Sequence, residues 1–225
     1  MSSGPILEML VTGAVAVATW YGVRARRASH EDRPLDVRSF RRRDIADFPR
    51  PGAGKISGHV RPHESHQLWA PVSGTACAAY QVRVILGQPG HEERSWVAHR
   101  LLASDERIVS FLVEDSSGAA LVRPDSPELL LHERLVAEMS TDAPLPPRLA
   151  RLLEDVGPLP EGWRLRCHEA LLPFDSMVAV VGHGEADTSA PDGEGGYRQA
   201  MSRLALGPLE DGQMLVSNLS FNPPE

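Results

Sequence analysis

From position 55 to the last strand-like run near 218, apolar residues come in short stretches broken by Gly, Pro, Ser and Asp. Val82, Val84 and Leu86 alternate with Gln81, Arg83 and Ile85, the period of a strand that buries one face. The same reading predicts strands at 55–60, 76–86, 94–102, 107–114, 119–123, 163–172, 177–182, 198–206 and 214–218. One segment breaks the pattern. Pro146-Pro147-Arg148 leads into LARLLEDVG, with Leu149, Leu152 and Leu153 on one helical face and Gly157 as a stop. TSAPDGEGG at 188–196 has the composition of a flexible acidic loop. Many short strands with a single helix predict a mainly β (α+β) domain, barrel- or sandwich-like, with one interrupting helix.

The N-terminal pattern is different. Residues 5–23 read PILEMLVTGAVAVATWYGV, and no charge occurs from Met9 to Val23. As a helix this stretch would rise about 28 Å, close to the thickness of a bilayer's hydrocarbon core. Trp20 and Tyr21 stand where an aromatic belt belongs, and Arg24, Arg26 and Arg27 follow. A cleavable signal peptide fits less well, because no Lys or Arg precedes the apolar run; a buried core helix is the other alternative. The pattern predicts a single N-terminal transmembrane helix. With the basic cluster after it, the positive-inside rule puts the following domain in the cytoplasm. The chain thus divides into an anchor with its basic flank (1–27), an arginine-rich linker (28–54) and a β-rich domain (55–221). From Arg24 to Gly54 there are nine arginines against five acidic residues, which suits either a solvated tether or a lipid-facing stretch.

Composition narrows the classes further. The 225 residues are 42% hydrophobic, enough for a packed core, and the formal charge of −7 argues against a general nucleic-acid binder. Lys55 is the sole lysine, a bias expected of a GC-rich, bacterial genome. Cys77 and Cys167 are too few for a disulfide framework or a four-thiolate zinc site; they read as small buried hydrophobes, with one disulfide left open.

Three stretches are familiar in order and spacing. APVSGTACAAYQVRV (70–84), FLVEDSSGAALVRP (111–124) and CHEALLPFDSMVAVVGHGEAD (167–187) resemble the successive blocks of the GIDE-type, or "beside a membrane" (BAM), domain. Trp96 falls between the first two, and MLVSNLS (214–220) resembles the terminal strand. Pro71, Ser73, Gly74, Cys77, Tyr80, Trp96, Glu114, Asp115, Gly118, Glu169, Pro173 and Gly182 carry the likeness, and they read as structural positions. In eukaryotes this domain occurs in mitochondrial ubiquitin ligases, between two transmembrane helices and ahead of a RING finger; bacterial relatives lack the RING. This sequence has no CxxC pair to hold RING zinc and no second apolar span after Gly182. Phe174 also stands where the family more often has glycine after the proline.

Candidate chemistry is sparse. His59, His63, Glu64 and His66 form the densest group of potential ligands; a helix would pair His59 with His63, but Gly58 and Pro62 favour an extended strand and turn, in which His63 and His66 point to opposite faces, so no metal and no other cofactor is expected. Cys77 lacks an evident partner, His168 and His99 being the candidates for a nucleophile's base. Glu114 and Asp115 point apart on a strand, and Asp115 with Gly118 reads as a turn. There is no GxxxxGK[ST], GxGxxG, HExxH or GxSxG. The sequence therefore predicts a membrane-anchored, non-enzymatic interaction or scaffolding module whose partners are the bilayer and another protein, with self-association open. A ligase accessory and a small-molecule or metal sensor are the alternatives.

Overall fold

The computed structural model describes residues 39–89, 96–187 and 203–219. The apolar run at 5–23, with Trp20, Tyr21, Arg24, Arg26 and Arg27, lies outside the described residues, as does the loop at 188–196. Among the described residues no helix is long and apolar enough to cross a membrane. Among the described residues the fold is mainly β, with a five-stranded barrel, a second sheet and one α-helix.

Five strands close the barrel: β1 (Gly52–Pro62), β5 (Phe111–Asp115), β6 (Gly118–Val122), β10 (Met177–Asp187) and β11 (Arg203–Gly207). The ring runs β1-β5-β6-β11-β10 and returns to β1, antiparallel throughout except for β6 and β11. Period-2 alternation turns Ile56, Val60, Phe111, Val113, Ala120, Val122, Val178, Val180, Leu204 and Leu206 into one core. Glycines on β1 and β10 keep this small barrel narrow. A Cβ on Gly58 would drive into the backbone carbonyl of Glu114, so β1 and β5 approach there only because the side chain is missing. Two short strands, β7 (Glu128–Leu130) and β12 (Leu215–Ser217), extend the sheet beyond β10.

The core reaches back into the expected linker. Ile45 is 2% and Phe48 4% exposed, both within the barrel cluster, and the backbone N–H of Ile45 donates to Asp115 Oδ2 at 3.0 Å. The Phe48 ring lies over Gly54 and Gly184, filling the space a side chain would occupy there. β1 itself begins at Gly52, so the boundary expected at 55 falls inside a strand. Two apolar residues in an arginine-rich stretch carry too little periodicity to announce this.

The second sheet contains β2 (Leu68–Trp69), β3 (Ala76–Pro89), β4 (Trp96–Ile108), β8 (Glu133–Ser140) and β9 (Arg164–Pro173). β3 is central, pairing with β9 on one side and with β4 and β2 on the other, and β8 forms the outer edge beyond β9. Helix α1 (Pro147–Leu152) starts on the expected proline. Leu149 and Leu153 pack with Val82, Val84, Leu86, Leu165 and Cys167, which is the alternating face read from the sequence. The other face of β3 and β9 supplies Ala78, Ala79, Ala170 and Leu172 to the barrel core, so the two sheets share it.

One strand boundary is corrected. The breaks expected between 102 and 107 do not occur: β4 runs on to Ile108 and the chain turns at Val109 and Ser110. The polar residues there are held by neighbours on β3, with Tyr80 Oη donating to Asp105 at 2.7 Å and Gln81 Nε2 to Glu106 at 2.7 Å. Strand β8 was not expected at all.

Candidate functional site

The family-like motifs gather in two places. The first surrounds Glu169 on β9, which faces Val82 in register and is 1% exposed. Above it the chain makes a tight loop between β2 and β3. Ala70 N donates to Thr75 O, Gly74 N donates to Ala70 O, and Gly74 takes the left-handed conformation (φ 68°). That loop aims its amides downward: Val72 N donates to Glu169 Oε1 at 2.6 Å and Ser73 N to Oε2 at 3.1 Å. Pro71, Ser73, Gly74 and Glu169, almost a hundred positions apart, therefore form one unit, and a buried acceptor is satisfied by two otherwise orphaned donors. Arg148 of α1 closes the outside, its guanidinium 5.3 Å from the centre of the Trp69 ring.

Cys77 and Cys167 flank Glu169 on this face and are both free and fully buried. Cys77 pairs in register with Pro173 and Cys167 with Val84. At about 3.3 Å per residue they are roughly 20 Å apart, far beyond disulfide reach. Burial first, and then the Glu169 charge, push each thiol up to about 11. Neither is a thiolate at neutral pH. The histidines proposed as bases are elsewhere: His168 turns to the opposite face, 3.7 Å from Glu133, and His99 pairs with Gly87 at the far end of β3. Native protein should accordingly resist alkylation by iodoacetamide at neutral pH, and both thiols should react once urea unfolds it. Rapid labelling of Cys77 in the folded state, read by mass spectrometry, would contradict this.

The second gathering is the barrel hairpin. Asp115 pairs with Gly118 across Ser116-Ser117, and its carboxylate accepts from the N–H and hydroxyl of Ser117, from Gly118 N and from Ile45 N. Desolvation works to raise the Asp115 pKa, but these hydrogen bonds outweigh it and hold the group below its ordinary value. The stability it contributes is thus present at neutral pH and lost as pH falls through that lowered value. Gly118 has positive φ (159°), which L side chains rarely adopt, so the turn rests on this glycine as well as on Asp115. Glu114 turns away to accept from Arg61 Nε at 2.8 Å, and Arg61 also pairs with Asp175. Gly182 lies on β10 opposite Gly54, where a Cβ would meet the Gly207 carbonyl. Pro173 ends β9, and the left-handed residue of the following turn is Asp175 (φ 66°), which explains how Phe174 is accommodated after it. Tyr80 is buried in β3, and Trp96 opens β4 opposite Pro89.

The histidine group behaves differently from its expectation. The chain reverses at His63-Glu64-Ser65-His66, with His66 N donating to His63 O at 3.1 Å and Glu64 left-handed (φ 53°). The expected turn is present, but it brings the His63 and His66 rings to the same side, their centroids 5.9 Å apart, and not to opposite faces. His59 is apart from them, its Nδ1 3.0 Å from the Asp175 carbonyl.

Compared with known proteins, the chain matches no family model, no curated sequence and no solved structure.

Proposed function

We propose that this chain is a non-enzymatic interaction module, held at the cytoplasmic face of a membrane by its N-terminal apolar segment and presenting the β-rich domain to a protein partner. The resemblance to GIDE-type domains supports this reading, as does the use of the motif residues: Glu169, Asp115 and both cysteines are consumed by the fold. The observation that carries it is strand β8. No described strand pairs with its outer edge, and Leu135 (52% exposed) and Val136 (38%) stand side by side on it. The register slips between Leu135 and Ala137, a bulge that leaves Val136 without a partner on β9. Adjacent exposed aliphatics on an open edge suit contact with another protein.

The test has two arms. Full-length protein should stay in membranes through an alkaline carbonate wash, whereas a chain starting at Ala28 should be soluble. After mild detergent extraction, copurifying protein should fall at least several-fold in the Leu135→Lys/Val136→Lys variant. Release of the full-length protein by carbonate defeats the anchor; undiminished recovery of the partner defeats the β8 surface.

A further inference from the structure

We propose that the turn at His63, Glu64 and His66 binds a divalent transition-metal ion, with two imidazoles and one carboxylate as ligands and water completing the shell. One ligand atom from each of the three residues lies within 4.8 Å of the other two. The His63 Nε2 to Glu64 Oε1 distance is 3.8 Å. In a tetrahedral zinc site with bonds of about 2.0–2.2 Å, ligand atoms stand about 3.4 Å apart, so small rotations of exposed side chains complete the geometry. The backbone does most of the assembly. The antiparallel His63–His66 bridge fixes both Cα positions, and the left-handed Glu64 between them turns its carboxylate toward the imidazoles. Nitrogen donors select zinc, nickel or copper over calcium and magnesium, which prefer an all-oxygen shell. Three protein ligands leave at least one open position, the arrangement of an exchangeable site and not of a closed structural one. The turn also joins β1 of the barrel to β2 of the second sheet, so an ion there ties the two ends of that connection together.

Zinc titrated into the chelator-treated full-length chain, in mild detergent, tests this by calorimetry. One zinc should bind per chain, magnesium should not compete, and zinc should raise the melting temperature. His63→Ala and His66→Ala should each weaken zinc binding by at least about 10-fold, since loss of even an outer-shell partner has that effect. Glu64→Gln should weaken it by about the same factor, and His59→Ala should leave it unchanged. The turn is largely exposed, so melting without zinc should hardly move in any of these variants. Should one unfold, Glu64→Gln remains as an isosteric check. The proposal is overturned if wild-type protein takes up no zinc, or if the His63→Ala/His66→Ala double variant binds it as tightly as wild type.

Discussion

Phe48→Ala should destabilise the domain by about 3–5 kcal/mol, the usual cost of deleting a buried aromatic side chain. For a domain of this size that is a fall in melting temperature of roughly 10 °C. The ring fills the space over Gly54 and Gly184, where two strands of the barrel carry no side chains of their own. The glycines beneath carry no side chains to fill that gap, although Leu204 borders it at Gly184. Arg42→Ala, at an exposed position nearby, should change stability by less than about 0.5 kcal/mol. A thermal melt of the two variants decides the matter: if Phe48→Ala behaves like Arg42→Ala, residues 39–50 are a tether after all and the barrel is complete without them.

Glu169→Ala should cost about 3–4 kcal/mol by a different route. The loop above it directs the Val72 and Ser73 amides at the carboxylate, and removing the acceptor buries two donors with nothing to bind. An unsatisfied buried group costs about 1–3 kcal/mol, and the small cavity left behind adds to it. Glu169→Gln keeps the shape and one acceptor but sets an NH2 against an amide N–H, so its cost should be intermediate, about 1–2 kcal/mol. Urea unfolding would rank the three proteins. If Glu169→Gln matches wild type while Glu169→Ala does not, packing and not hydrogen bonding holds the loop. If neither differs from wild type, the loop does not depend on this residue.

Much of the architecture could be read from the chain because period-2 alternation survives wherever one face of a strand is buried, as at Val82, Val84 and Leu86. It was hidden where tertiary partners overrode local composition. Ser104, Asp105 and Glu106 look like a break, yet Tyr80 and Gln81 give two of them cross-strand partners. Glu133 to Ser140 escaped notice because an edge strand exposes both faces and needs no alternation. The site residues failed for another reason. Nothing local links Ser73 to Glu169, since only the register of β3 against β9 brings them together. An extended strand and turn at His63 and His66 implies opposite faces, and one left-handed residue between them, Glu64, reverses that.

The parallel pairing of β6 with β11 has a consequence for the order in which this protein takes shape. Ala120 must wait for Leu204 before its strand has a neighbour on both sides, and until then the ring is an open sheet with an unpaired border. Contacts so distant along the chain form slowly, because the intervening loop must be ordered first. A polypeptide still emerging from the ribosome, with its first segment already at the membrane under the topology proposed above, would therefore display that border to its surroundings for as long as the last strands remain unmade. Such an interval is where a strand from another molecule can dock by mistake.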